Sequence, residues 1–157
     1  MATGKDNQLA KQIGESIVVA ELGRRGCIAT AFSGNVPILD ILAINPSSRQ
    51  LQIQVKAIRG VSWQFDVRQF LDVRVVGNRQ IMKGKVPPSY KNLVCVFVII
   101  RQSGIDEFFI FPWRFLQEYC FKNYIPRKKP KNIDSFHCAI WPKDILKYKD
   151  NWKLILR

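Results

Sequence analysis

A carboxylate, an amide and an amine follow one another in an order that could hold a divalent cation and activate water. Asp40 lies within an apolar stretch, where a carboxylate is costly unless it is paired or binds a metal. Gln54 and Lys56 follow in a segment where polar and apolar residues alternate. Because alternate residues of a β-strand share a face, the spacing predicts Gln52, Gln54 and Lys56 on one face.

These residue types suit the hydrolysis of a phosphodiester bond. That reaction needs a divalent cation to neutralise the phosphate and lower the pKa of a bound water, and oxygen ligands to hold the cation. Asp40, Gln54 and the carbonyl of Val55 could supply the oxygens, and Lys56 could position or activate the water. Glu15, from an earlier segment, could reach the same site as a more distant ligand.

A purely structural interpretation of the same residues stays open. An internal aspartate can cap a turn or pair with an arginine, and alternating Gln and Lys are ordinary on a strand that faces solvent. Each feature alone is therefore a weak indication of function. Their combination in one order, after a helix that carries a glutamate, favours the chemical interpretation.

The elements that must position these residues follow from hydrophobic periodicity. Residues 6–24 have apolar side chains at helical spacing, and Gly26 supplies a stop signal after two arginines. Strands are predicted at residues 27–32, 38–44 and 50–57. A turn at residues 45–48 (Asn-Pro-Ser-Ser) predicts a hairpin between the last two strands. Such a hairpin would bring Asp40 beside Gln54.

The remaining chain predicts a further mixture of strands and helices. Residues 65–73 are compatible with a short helix or a strand, and residues 77–88 are predicted as a polar loop. Further expectations are strands at 93–101 and 107–111 joined by a turn at Ser103 and Gly104, a helix at 113–123, a basic loop at 126–131, a strand at 136–140 and a short helix at 142–148. The order predicts one α/β (α+β) domain spanning residues 1–157, with a core at about 6–123 and an extension at 124–157.

The motifs resemble those of the PD-(D/E)XK nuclease superfamily. The similar positions are Gly14 and Glu15, Glu21 and Leu22, Arg25 and Gly26, Pro37 and Asp40, and the run Gln54-Val55-Lys56. Within the superfamily, the layout is similar to small single-domain endonucleases, including intron-encoded homing endonucleases and archaeal Holliday junction resolvases. The resemblance covers residues 10–58, and the later segments fit it loosely.

The resemblance implies a restriction-endonuclease-like αβββαβ core with a mixed central sheet flanked by helices. It implies that Asp40, Gln54 and the Val55 carbonyl hold Mg²⁺ or Mn²⁺, that Glu15 lies at the margin of the site, and that Lys56 assists the water. One departure concerns Gln54, which stands where the superfamily usually has a second acid. A glutamine there also occurs in Mrr-like restriction enzymes, but it removes one negative charge and weakens the expected metal affinity.

The charge balance predicts a polyanionic partner. The chain has 25 Lys and Arg against 12 Asp and Glu, a net charge of +13. Such an excess attracts nucleic acid. Candidate DNA-contacting residues are Arg59, Trp63, Gln64, Arg68, Arg74, Arg79, Lys83, Lys85, Arg127, Lys128, Lys129 and Lys131. The basic run at 126–131 is equally compatible with a solvated loop or an import-like signal. Trp113, Phe115, Tyr119, Phe121, Trp141 and Trp152 are expected in the core.

Other classes of protein fit the sequence poorly. The longest apolar stretch, residues 93–100, is too short to span a bilayer, and the N-terminus has no apolar signal core. An intracellular protein, cytoplasmic or nucleoid-associated, is expected. The four cysteines match no zinc pattern and are expected as buried free thiols, and the single histidine, His137, is expected to be structural.

The leading hypothesis is a metal-dependent DNA endonuclease of the homing, restriction or junction-resolving type. A homodimer or higher homo-oligomer is expected, because cutting two strands of symmetric or branched DNA favours two-fold assembly. Two alternatives stay open. One is a catalytically inactive DNA-binding module with the same fold, and the other is an RNA-processing nuclease or an RNA-binding protein.

Overall fold

The computed structural model describes residues 4–34, 36–102, 104–128 and 130–157. The chain divides into two compact units. The first comprises Met1–Trp63, Tyr90–Pro112 and Trp141–Arg157, and the second comprises Gln64–Ser89 and Trp113–Ile140. The expected C-terminal extension at 124–157 is therefore divided between the two units. The description of the chain as one domain stays a prediction.

After a long first helix the chain consists mainly of strands, with shorter helices between some of them. In chain order they are α1 (Gly4–Arg24), β1 (Ile28–Ala31), β2 (Ile41–Ile44), β3 (Gln50–Ile58), β4 (Trp63–Asp66), β5 (Leu71–Val76), β6 (Arg79–Lys85), β7 (Leu93–Ile99), β8 (Glu107–Pro112), α2 (Trp113–Asn123), β9 (His137–Ile140) and α3 (Lys153–Leu156). Among the described residues, 3-10 helices lie at Val67–Gln69, Pro130–Asn132 and Pro142–Tyr148.

A mixed five-stranded sheet forms the centre of the first unit. Its strand order is β1-β2-β3-β7-β8, and only the β3–β7 pair is parallel. The parallel register sets Gln54 opposite Cys95. The predicted fold class, an α+β fold with a mixed central sheet and helices packed on it, is confirmed. The predicted hairpin is confirmed as well, since β2 and β3 pair in antiparallel register.

Helix α1 packs on one face of this sheet through a stripe of small and branched residues. Its buried residues are Ala10, Gly14, Val18 and Leu22. The last two join Ile41, Ile53 and Val55 in the hydrophobic core, to which α3 contributes Ile155. A Cβ on Gly14 would overlap the Cβ of Ala57, so glycine is required for the close approach of helix and strand.

The opposite face of the sheet is aromatic. Trp63 packs against Phe97 and Phe109, and Phe97 packs against Phe111. All four side chains are fully buried. The alternation of side chains along β7 therefore separates an aliphatic layer under α1 from an aromatic layer on the other face.

The second unit is built from two small sheets and α2. Strands β5 and β6 form an antiparallel hairpin, and β4 pairs with β9. Two buried glutamines hold the connections. Gln117 donates from Nε2 to the carbonyls of Phe70 and Val86 at 2.9 and 2.7 Å. Gln80 donates to the carbonyl of Ile133 at 2.6 Å and accepts from the hydroxyl of Tyr124.

The prediction of a polar loop at residues 77–88 is wrong, because β6 occupies Arg79–Lys85. Gly77 and Asn78 form the two-residue connection between the paired residues Val76 and Arg79, and Gly77 has a φ of 58°. Glycine followed by asparagine between two strand-forming runs is a hairpin signal that the composition of the segment obscures. Residues 65–73 contain strand, a 3-10 turn and strand, in partial agreement with the strand alternative.

The order of elements differs from αβββαβ in the crossover from β3 to the parallel strand β7. The described residues between them form β4, a 3-10 turn, β5 and β6, where the αβββαβ order has an α-helix. The turn expected at Ser103 and Gly104 falls partly on Ser103, which lies outside the described residues. The helix expected at 113–123 is confirmed with both of its bounds.

Several expected core residues need correction. Trp141 is 42% exposed and Phe121 is 38% exposed, so neither is a core residue. Trp113 and Trp152 are buried as expected, and Phe115 and Tyr119 are half-buried. All four cysteines are buried free thiols, which confirms that prediction. Across the described ranges, the helices are too short or too polar for any of them to traverse a bilayer.

Candidate functional site

Asp40 lies where β2 separates from β3. The paired register ends at Ile41 opposite Ile53, and the predicted strand at 38–44 is shorter at its start because Ile38 adopts a left-handed φ of 69°. A β-branched residue rarely adopts that conformation. The Asp40 amide still donates to the Ile53 carbonyl at 3.0 Å, and its Oδ2 accepts from the Val55 amide at 2.8 Å. The Asp40 carboxylate thus accepts a backbone hydrogen bond from β3 that a carbonyl of a neighbouring strand would otherwise accept.

Glu15 approaches Asp40 from α1, because the contact of Gly14 with Ala57 holds this part of the helix against β3. The two carboxyl groups interact directly, and their side chains are only 17% and 13% exposed. Burial raises the pKa of Glu15, and the charge of Asp40 raises it further. Burial also raises the pKa of Asp40, opposed by the hydrogen bond from Val55 and by nearby lysines. Two acids are therefore held together at a cost that a bound cation would offset.

Lys56 and Gln54 share one face of β3, as the alternation predicts, while Val55 is buried on the other face. Burial lowers the pKa of Lys56, and the charge of Asp40 opposes that shift. The thiol of Cys95 donates to Oε1 of Gln54 at 3.8 Å, a long contact to sulfur. The thiol of Cys95 also interacts electrostatically with Asp40 and Lys56. Asp40, Gln54, Lys56 and Cys95 therefore lie close to one another.

The oxygen atoms of this site fit a hard divalent cation. Glu15 and Asp40 offer carboxylate oxygens and Gln54 offers an amide oxygen, which are ligand types preferred by Mg²⁺. The amide and carbonyl of a strand residue point to the same side, so the Val55 carbonyl faces the edge where Asp40 accepts the Val55 amide. Within the described chain no three His, Cys, Asp or Glu side chains cluster as a metal site, so this site would depend on two carboxylates and neutral oxygens.

Lys11 is a member of this site that the sequence did not single out. Its Nζ lies 3.7 Å from Oε1 of Glu15 and 3.8 Å from Oδ1 of Asp40. Its position four residues before Glu15 on a helix was the available signal, since residues at that spacing are neighbours. Nothing in the sequence indicated that Asp40 would join the same ion pair.

Trp63 is the clearest error among the residues expected to contact DNA. Its side chain is fully buried, and its indole N–H donates to the carbonyl of Lys56 at 3.0 Å. It therefore supports the strand that carries the site and cannot stack on a base in this structure. Arg59, just after β3, is exposed as a DNA contact requires.

The residues of the second unit that were expected to contact DNA differ in their side-chain contacts. Arg68 pairs with Asp66 and lies over the ring of Phe136, while Arg74 pairs with Asp72 at 2.9 Å. Lys85 pairs with Glu118. Arg127 is partly buried, and its Nε has no hydrogen-bond partner among the described residues. The other described candidates are all exposed, and they are Gln64, Arg79, Lys83, Lys128 and Lys131. Lys129 lies outside the described residues.

Comparison with known proteins finds similarity in structure without detectable similarity in sequence. No protein-family model matches the chain. No curated protein matches it either. Among solved structures, the bacterial homing endonuclease I-Ssp6803I is similar with a TM-score of 0.53 and 15% sequence identity, over 95% of this chain and 92% of that one. The chain therefore has the fold of a protein described as a homing endonuclease.

Proposed function

We propose that this protein is a metal-dependent DNA endonuclease. The observation that carries the proposal is the convergence of Glu15, Asp40 and Lys56 at the edge of β3, with Gln54 beside them. The net charge of +13 supports a nucleic-acid substrate. The similarity in fold to a bacterial homing endonuclease supports the same activity.

In the proposed mechanism, the oxygen atoms of the site bind a divalent cation. A bound Mg²⁺ or Mn²⁺ would supply charge neutralisation at the phosphate and a more acidic water. Asp40, Glu15, Gln54 and the Val55 carbonyl would hold that ion. The hydrogen bond from Val55 fixes the Asp40 carboxylate in orientation, and Gly14 fixes the approach of Glu15. These contacts hold the oxygen atoms in place before substrate binds, which is what precise positioning requires.

Lys56 would orient the attacking water and offset charge that develops on the phosphate. Its partial burial and lowered pKa are typical of a lysine held for chemistry rather than for surface charge. The carbonyl of the same residue accepts from the buried Trp63 indole, so the strand is anchored directly at this position. In this proposal Trp63 is a positioning residue.

Supporting contacts to DNA would come from exposed cations of each unit. In the first unit Arg59 follows the site, and in the second unit Arg79 and Lys83 lie on the β5–β6 hairpin. Each phosphate contact adds a salt-dependent contribution to affinity. A homodimer or higher homo-oligomer, and an intracellular location, are part of the same proposal.

The decisive test is cleavage by wild type and by Lys56→Ala, with Lys153→Ala as a matched control from an exposed site in the same unit. Substrates are plasmid DNA, a library of random inserts, a four-way junction and single strands. We expect cleavage with Mg²⁺ or Mn²⁺, none with a chelator, and a loss of about 100-fold to 10,000-fold for Lys56→Ala. DNA binding and folding should remain in that variant.

Unchanged cleavage by Lys56→Ala would remove the mechanism. Binding of all these substrates without cutting would instead support an inactive DNA-binding module, in which Gln54 marks a site that has lost its second acid. Competition by RNA stronger than by DNA would favour the RNA-directed alternative.

A further inference from the structure

The ammonium group of Lys11 lies between the two carboxylates of the site. It is within 4 Å of one oxygen of each, Oε1 of Glu15 and Oδ1 of Asp40. The distances of 3.7 and 3.8 Å exceed those of a good hydrogen bond, so the contact is mainly electrostatic. The other oxygen of Asp40 accepts from the Val55 amide. Lys11 therefore faces the carboxylate oxygens that remain for a cation.

The Lys11 side chain can move away from the two carboxylates more easily than the Lys56 side chain can. Lys11 is 54% exposed on its helix, whereas Lys56 is partly buried on β3. A lysine is a compact charge on a flexible stem, and it can move its ammonium into solvent at little cost. A pair between Glu15 and an exposed lysine would by itself contribute little. Lys11 also contacts Asp40, which belongs to a different part of the chain. Because it bridges both acids, Lys11 competes with any divalent cation that binds between them.

We propose that Lys11 is a displaceable counter-cation of this site. It neutralises Glu15 and Asp40 while they lack a divalent cation, and it turns to a DNA phosphate once such an ion has taken their oxygens. This inference rests on the proposed function, since it takes the carboxylates as the metal ligands. It gives Lys11 a role in coupling metal binding to DNA binding.

The first measurement is calorimetric titration of the protein with Mg²⁺ and with Ca²⁺ in the absence of DNA. Lys11→Met keeps most of the length of the side chain and removes the competing charge. We expect it to bind either ion about threefold to tenfold more tightly than wild type, as the loss of one or two ion pairs made by an exposed lysine implies. Lys11→Arg should behave like wild type. Lys5→Met, which removes an exposed lysine earlier on α1, should change nothing.

The second measurement is the affinity for a short labelled duplex, with a chelator and with saturating Ca²⁺. With the chelator, Lys11→Met and wild type should bind DNA equally. With Ca²⁺, Lys11→Met should bind more weakly, and the slope of log affinity against log salt should fall by about 0.9, the value for one phosphate contact. Lys5→Met should retain the wild-type response to Ca²⁺.

The outcomes separate this inference from the function on which it rests. If wild type binds Mg²⁺ in a way that Asp40→Asn abolishes, but Lys11→Met has wild-type metal affinity or an unchanged response to Ca²⁺, the role of Lys11 is overturned and the endonuclease proposal stands. If wild type shows no binding of a divalent ion that depends on Asp40, both proposals are overturned.

Discussion

The two acidic side chains at the edge of β3 in the first unit behave in the opposite way to the arginine-paired aspartates of the second unit. In the first unit, Glu15 and Asp40 are partly buried beside each other, and burial is the main cause that raises both pKa values. In the second unit, Asp66 and Asp72 pair with Arg68 and Arg74, and hydrogen bonds from these arginines lower the pKa of each aspartate.

The difference separates acids whose charged form is stabilised by an arginine from acids whose charged form is disfavoured by burial. Exposed pairs such as Asp72 with Arg74 contribute little to stability and are screened by salt. Two neighbouring carboxyl groups with raised pKa values disfavour their own charged forms, which is the arrangement common at functional sites. The contrast distinguishes Glu15 and Asp40 from the paired acids of the protein, which in the first unit include Glu21 and Glu107.

The largest expected effect is that of Asp40→Asn. Asparagine keeps a carbonyl oxygen that can accept from the Val55 amide, so the local backbone should remain while the charge is removed. We expect metal-dependent cleavage to fall by about 1,000-fold, comparable with losses at other electrostatic catalytic positions. The measurement is the rate of plasmid cleavage, with circular dichroism to verify folding. Asp72→Asn is the control from the second unit, and an equal loss there would erase the comparison.

The next effect concerns the approach of α1 to β3. A Cβ at Gly14 would overlap Ala57, so Gly14→Ala should force the helix away from the strand that carries Lys56. Overpacking of this kind costs about 1–3 kcal/mol. Urea unfolding measures the cost, and Gly23→Ala is the matched control, since a Cβ at Gly23 on the same helix meets no atom within 4 Å. Equal stability of the two variants would refute tight packing at Gly14.

The pH dependence of metal-free stability should have opposite signs for the two groups of acids. Because Glu15 and Asp40 have raised pKa values when folded, they retain protons that the unfolded chain loses near pH 4. Their contribution should therefore decrease as pH rises from the unfolded value through the raised folded values. The lowered pKa of Asp66 gives a contribution that is present above the unfolded value and lost as pH falls.

Thermal unfolding across this range, with a chelator present, measures that difference. Glu15→Gln should remove much of the decrease toward neutral pH, and Asp66→Asn should remove part of the loss on the acid side. Added Mg²⁺ should raise the melting temperature more at neutral than at acid pH, because only deprotonated carboxylates bind it. A wild-type curve that Glu15→Gln leaves unaltered would contradict the paired titration.

The smallest expected effect is that of a single cation on the β5–β6 hairpin. Lys83→Ala should reduce the slope of log affinity against log salt by about 0.9 if Lys83 contacts one phosphate. Cleavage of saturated substrate should not change. Filter binding at several salt concentrations measures the slope, and Lys143→Ala, an exposed lysine of the first unit, is the control. A large loss of cleavage at saturation would place Lys83 among groups that act on the reaction.

The local pattern of the sequence was enough for most of the elements that carry the site. Helical spacing fixed α1, and period-two alternation fixed the faces of β3, so Gln54 and Lys56 were correctly assigned to one side. The hairpin at β5–β6 was missed because polar and basic residues dominate it, and its only signal is the short Gly-Asn turn. Trp63 was misassigned because its sequence neighbours are polar, while its contacts are distant aromatic residues.

Residue type and periodicity alone therefore determined which side chains could do the chemistry and which face of a strand they occupy. Only the tertiary structure decided that Asp40 lies beyond the end of β2 with its carboxylate on the Val55 amide, and that Lys11 joins the two acids. The physical reason is that periodicity reports which side of one element is buried. The meeting of helix and strand depends on packing at Gly14 and Ala57, 43 residues apart in the chain.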